Sequence, residues 1–244
     1  MHPRLLLSNG RLLSTYDLFT LFSIIAAAVF FFTALRREGV KGSQLGWFIF
    51  IGIFVQDIGG TILPYLHHLV HGMPIPALPR TPGRWFHSIF LSMALYTWFW
   101  IRRFKWPAGR VMDVFFMSAM IMSAVGRIGC FLGGCCGGKI CGLPWALHYP
   151  GDPEGVLRHP TQLYAVALEL LIFAVLRAGD RKRRYAGETF LKGVLLYSVY
   201  RFGMGFVRDT PAVAAGLSYA QIFSLVSGAA GLWFFLKKRR GPAA

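Results

Sequence analysis

The chain has 244 residues, 55% of them hydrophobic and 15% charged, with a mean hydropathy of +0.50 and a formal net charge of +16. A soluble globule of this length needs more polar surface, so the composition identifies an integral membrane protein. Its basic residues fall in short clusters between apolar runs, a pattern that fits topology signals and anionic lipid and argues against nucleic acid as a partner.

Residues 1–14 carry Arg4 and Arg11 but no small-residue cleavage site after a short apolar core, so they do not read as a signal peptide. Seven apolar segments follow. The first runs from Tyr16 to Leu35. The second, Leu45 to Leu63, is interrupted by Gln56 and Asp57 and expected to end at Gly59, Gly60 and Pro64. A Pro- and His-rich loop then leads to a third segment, Phe86 to Ile101, which opens with His87. The fourth covers Val111 to Val125, the fifth follows Tyr164 to the basic cluster 177–184, the sixth is Phe190 to Phe206 and the seventh Tyr219 to Leu236. The expected fold is therefore an all-α membrane protein of about seven transmembrane helices, forming one domain over residues 1–244. Several segments are shorter than the roughly 20 residues a straight span needs, so their helices are expected to extend into the flanking motifs.

Charge sets the expected orientation. With the C-terminal Lys237–Arg240 cluster cytoplasmic, 17 Lys and Arg fall on the cytoplasmic side and 9 on the other. The positive-inside rule then puts the N-terminus in the periplasm. Tyr16, His87, Arg201, Arg208 and the stretch from Gly126 to Tyr164 all come to the outer face in this arrangement.

That stretch concentrates the chemistry. It holds all four cysteines and Arg127, Lys139 and Arg158, packed among glycines at the end of an apolar run, where polar groups are costly unless used. Gly126, Gly129, Gly133, Gly134, Gly137 and Gly138 recur too densely for a continuous helix, and suit close backbone approach to a headgroup or a neighbouring span. A phosphate-binding loop of soluble NTPases is excluded, because no G-x4-G-K-[ST] is present. Asp57, Asp113 and Glu169 lie in or at the edges of segments; Asp113 reads as an interface residue.

The segment GRIGCFLGGCCGGK, then LPWALHYP, RHPTQLY and YRFGMGFVRDTP, resembles the prolipoprotein diacylglyceryl transferases of bacterial inner membranes, whose signatures read roughly GRxGNFxNxExxG, RHPSQLYE and RFxxEFxR. RWFHS around His87, Tyr16 in the first segment and AQIFS around Gln221 extend the match over nearly the whole chain. The resemblance implies a transferase that moves a diacylglyceryl group from phosphatidylglycerol to the lipobox cysteine of an exported prolipoprotein, with no cofactor and no resident metal. Arg127 and Arg201 match the family's arginines, and a planar guanidinium suits a phosphodiester. His87 matches the family's histidine, as the base for the substrate thiol or as a group orienting the headgroup. The implied substrate-binding residues are Tyr16, Gly126, Gly129, Cys130, Cys135, His159, Gln162, Tyr164 and Arg208.

The chain departs from the family pattern at particular positions. Cys130 stands where the family has Asn, Cys135 where it has Glu, Ala165 and Gly205 at two further Glu positions, and Thr61 at an arginine near the end of the second segment. An alternative reading is accordingly a divergent paralogue that binds anionic phospholipid with another acceptor or without catalysis. The cysteine spacing C-x4-C-C-x4-C is no zinc-ribbon pair. One or two disulfides, such as Cys130 with Cys136 or Cys141, are expected on an outer face. Inert buried thiols, a metal site shared with His148 or His159, and a catalytic thiol are the alternatives. Adjacent Cys135 and Cys136 do not pair without strain.

Overall fold

The computed structural model describes residues 4–6, 12–70 and 86–240. A short antiparallel hairpin, β1 (Arg4–Leu6) and β2 (Leu12–Ser14), precedes seven helices among these residues: α1 (Thr15–Arg37), α2 (Gly42–Val70), α3 (Phe86–Phe104), α4 (Ala108–Leu132), α5 (Thr161–Asp180), α6 (Glu188–Val207) and α7 (Tyr219–Arg240). Each expected segment corresponds to one helix, and most helices are longer than the segments. The second does not stop at Gly59 and Gly60: α2 continues to Val70, with the Thr61 hydroxyl bonded back to the Ile58 carbonyl at 2.8 Å. Residues 71–85, the rest of the His- and Pro-rich loop, lie outside the described residues.

Apolar side chains cover the outside as well as filling the core, where Leu35, Leu45, Met117, Val111 and Val114 are fully buried, and several polar groups are enclosed. Gln162, Thr161, Asp113 and Glu169 are almost fully enclosed, whereas Val199, Val226, Trp233 and Leu171 face outward. Helices α1, α2, α4, α5 and α7 are each long and apolar enough to cross a bilayer. Polar groups turned inward and apolar groups turned outward are what lipid as solvent selects, and the chain is a helical multi-pass membrane protein.

The chain divides into two compact units, residues 32–111 and residues 1–31 with 112–244. In the first, α2 and α3 pack through an aromatic cluster of Phe48, Tyr96, Trp100 and Trp106. The Tyr96 hydroxyl donates to the Phe48 carbonyl at 2.8 Å, and the Trp106 indole to Gln44 Oε1 at 3.0 Å, so each buried polar edge has an acceptor. Arg110 closes the unit with a 2.8 Å ion pair to Glu38.

In the second unit small residues let helices approach. A Cβ at Gly228 would meet Ser198 at 3.1 Å and one at Gly231 would meet Val194 at 3.0 Å, which defines a small-residue seam between α6 and α7. Gly193 admits the Phe116 ring in the same way. Asp113, read from sequence as an interface residue, is fully buried on α4, and its carboxylate accepts from the Gly187 and Phe190 amides at 2.9 and 2.8 Å. It caps the N-terminus of α6 from a neighbouring helix, because Gly187 has no side chain to do so. Asp113→Ala leaves both amides without this acceptor, and is expected to cost about 3 kcal/mol. The check is the apparent Tm in detergent, which should fall for Asp113→Ala and recover in part for Asp113→Asn.

Candidate active site

The site is built where α4 ends. Contrary to the expectation from glycine density, α4 runs through Gly126 and Gly129 and stops only after Leu132. Gly134 then takes a left-handed φ of 69°. The Cys135 amide donates to the Cys130 carbonyl and the Gly134 amide to the Phe131 carbonyl, each at 3.1 Å, the paired bonds of a Schellman motif. The glycines divide by role. A Cβ at Gly129 would lie 2.7 Å from Phe19 Cβ, so this glycine permits contact between α4 and α1 near Tyr16, which is itself half exposed. Gly126 has open space beside it.

The loop from Gly137 to Pro160 is ordered by backbone pairing. Gly138 N bonds to His159 O at 2.9 Å, His159 N to Lys139 O at 3.1 Å, and Leu147 and Arg158 exchange bonds at 3.0 and 2.9 Å. Lys139 N reaches across to Val207 O at 2.8 Å and ties the loop to the end of α6. Arg158 clamps the fold: it grips Asp152 with Nε and Nη2 at 2.8 and 3.0 Å, and bonds Asp209 at 3.0 Å and the Gly138 carbonyl at 3.2 Å. This pairing holds the Asp152 carboxyl below, and the Arg158 guanidinium above, their usual ranges.

The first turn of α5 then holds the cysteine turn. Thr161 Oγ1 donates to the Cys136 carbonyl at 2.8 Å; Gln162 Nε2 donates to the Cys135 carbonyl, and Tyr149 donates to Gln162 Oε1 at 2.7 Å. Gln162 thus spends its amide on protein groups, inside the fold. Tyr164 accepts from the Trp145 indole at 2.6 Å and lies 3.4 Å from His159 Nδ1.

Arg127, Arg201 and Arg208, expected at one face, are brought together. Arg208 lies in the fields of Arg127 and Arg201; burial first, then these two charges, lowers its pKa. Arg201 and Arg208 are seven residues apart, two helical turns, and so share a face. Glu169 lies within the electrostatic reach of Arg127 and Arg201, and its Oε1 accepts from Tyr200 at 3.0 Å. Its Oε2 is buried without a hydrogen bond. Arg127 and Arg201 act on both Glu169 and Arg208, and three guanidinium groups against one carboxylate leave an excess of positive charge suited to an anion.

All four cysteines are free thiols, so the expected disulfides are not formed. Cys136 has a positive φ of 65°, and the Sγ atoms of Cys130, Cys135 and Cys136 lie within 4.8 Å of one another, unpaired. Hydrogen bonding from the Cys130 thiol lowers the Cys136 pKa to about 5, against its partial burial and aided by Cys135, Arg127 and Arg208. Burial, followed by the Cys136 charge, raises Cys135. Cys136 should therefore be thiolate at pH 7 and lose reactivity only as pH falls through about 5. Alkylation by iodoacetamide at pH 6, read by peptide mass spectrometry, should modify Cys136 about 10-fold faster than Cys135.

His87 lies in the first turn of α3, and its side chain is outside the described residues. Thr161, Tyr149, Tyr200 and the Arg158–Asp152 pair were not singled out from sequence. Thr161 and Tyr200 stand beside flagged motif residues, which was the available signal; Asp152 carried none.

A family model described as prolipoprotein diacylglyceryl transferase matches residues 5–237. The phosphatidylglycerol–prolipoprotein diacylglyceryl transferase of Clostridium tetani is 26% identical over 241 residues, covering 96% of this chain and 97% of that protein. The enzyme of the same name from Geobacter sulfurreducens is 30% identical over 224 residues, covering 86% and 84%. With this match over nearly its full length, the chain belongs to the prolipoprotein diacylglyceryl transferase family.

Proposed function

We propose that this protein moves a diacylglyceryl group from phosphatidylglycerol to the lipobox cysteine of a prolipoprotein signal peptide. It does so as a seven-span protein of the bacterial inner membrane, with one transferase domain over residues 1–244. Its N-terminus and active face are towards the periplasm and its C-terminus is in the cytoplasm; the 17 to 9 distribution of Lys and Arg supports this orientation. The family match over residues 5–237 carries the reading, and Arg127 and Arg201, both near enough to act on Arg208, support it.

The acceptor thiol gives up its proton, its sulfur bonds to the glyceryl carbon, the C–O bond to phosphate breaks, and glycerol phosphate leaves. Charge grows on the departing phosphate oxygens, and Arg127 and Arg201 hold it there more tightly than in the diester. His87 takes the thiol proton or orients the headgroup. Tyr16, Gly126, Gly129, His159, Tyr164 and Arg208 border the substrates, while Gln162, Cys130 and Cys135 form the turn beneath them.

A second reading rests on one observation. At Gly205, where the resembling family has Glu, a Cβ would lie 2.3 Å from Gln221 Cδ, and Gln221 is held by Ser218 and by the Phe202 carbonyl. Gln221 leaves no room for a side chain at position 205, and this favours a paralogue that binds anionic phospholipid without this acceptor. The test is transfer in detergent micelles from acyl-labelled phosphatidylglycerol to a lipobox peptide, against the Cys-to-Ser peptide. Label on the cysteine peptide alone supports the transferase. No label on either peptide, from folded protein that still retains phosphatidylglycerol, sinks it in favour of the paralogue.

A further inference from the structure

In the thiol cluster of Cys130, Cys135 and Cys136, the first two stand at amide and carboxylate positions of the resembling family, and the transfer reaction above uses none of the three sulfurs. Three Sγ atoms lie within 4.8 Å of one another, with Cys130 buried and Cys135 and Cys136 open to solvent. An ion held at ~2.3 Å by three sulfurs places them ~3.8–4.0 Å apart, so the cluster closes on a metal by side-chain shifts of less than ~1 Å.

The backbone beneath the cluster is set in advance. Cys136 sits in the left-handed region, which costs a residue with a Cβ about 1 kcal/mol. Two fully buried side chains, Thr161 and Gln162, hold the carbonyls of Cys136 and Cys135, and the Schellman bonds fix Cys135 over Cys130. A turn held this way presents ligands without paying their ordering on binding.

We propose that Cys130, Cys135 and Cys136 bind one soft, thiophilic metal ion, Cu(I) in preference to Zn(II). The donor set is all sulfur, which selects soft cations. No fourth ligand joins the three among the described residues, and zinc in structural sites is almost always four-coordinate, whereas Cu(I) is content with three thiolates. Charge also fits: three thiolates and Cu(I) carry −2, and Arg127 and Arg208 both act on Cys136. Binding leaves all three sulfurs as thiolates, releases to solvent the protons they still carry, and changes no oxidation state. The exposed Cys135 and Cys136 give the ion its entry path.

The experiment uses the full chain in detergent micelles, anaerobic and reduced with ascorbate, titrated with Cu(I) against a chromophoric Cu(I) chelator and separately with Zn(II). One Cu(I) per chain is expected, with affinity about 100-fold or more weaker in Cys136→Ser and Cys135→Ser. Cys141→Ser should bind as wild type, and X-ray absorption should count three sulfurs. Thermal melting of each variant guards against misfolding. Unchanged affinity in both folded serine variants, dependence on Cys141, fewer than three sulfurs, or tighter binding of Zn(II) than of Cu(I) overturns the proposal.

Discussion

Alanine in place of Arg127 should lower diacylglyceryl transfer by about 10³-fold, the range seen when a guanidinium is removed from a transferring phosphate. Arg127 sits one turn before Cys130 on α4, and its electrostatic neighbours are Glu169, Cys130, Tyr200 and Cys136. Its loss removes the donor nearest the α4 terminus and leaves Arg201 and Arg208 to face the phosphate alone. Arg127→Lys keeps the charge but not the planar fork, and should recover only part of the rate. The measurement is kcat/KM for phosphatidylglycerol, beside Tm and headgroup binding. Transfer within about 3-fold of wild type in Arg127→Ala would remove Arg127 from the phosphate site.

Gly138→Ala is expected to undock the loop from Gly137 to Pro160 and with it abolish transfer. A Cβ there would meet the Val207 carbonyl oxygen at 2.4 Å, Thr161 Cγ2 at 2.6 Å and His159 Cβ at 2.8 Å. Two of these walls are immobile: the Val207 carbonyl accepts from Lys139, and Thr161 is buried while its hydroxyl holds Cys136. Overpacking of this kind costs typically 1–3 kcal/mol when neighbours can yield, and more where the wall is backbone. The readout is hydrogen exchange at Lys139, Arg158 and His159, each bonded in the loop, together with proteolysis within the loop. Gly142→Ala, with open space around its Cβ, should leave both unchanged and serves as the control.

The helices were legible in the sequence because apolar runs of span length have one low-energy form in lipid, a helix that satisfies its own backbone. Their ends were less legible. Glycine density at Gly126 and Gly129 suggested a break in α4, yet lipid and helix packing override the weak propensity penalty, and Gly129 is needed for its missing Cβ against Phe19. Likewise α2 passes Gly59 and Gly60. Arg127, Arg201 and Arg208 were picked out by the family motifs in which they fall, since an arginine at a span end by itself equally reads as one reaching for lipid phosphate. Asp113 was underestimated, because a cap supplied from another helix has no local signature.

By itself, then, the sequence determined the solvent, the number and order of the helices, and which residues carry charge into the membrane, because these follow from composition and from local periodicity. Only the tertiary structure decided what those residues do to one another. Arg127 of α4 and Arg201 of α6 come near enough to act on Arg208, Gln162 turns inward to the Cys135 carbonyl, and three thiols converge unpaired. Each outcome depends on contacts between residues tens of positions apart, and spacing along the chain does not encode the distance between the ends of two helices.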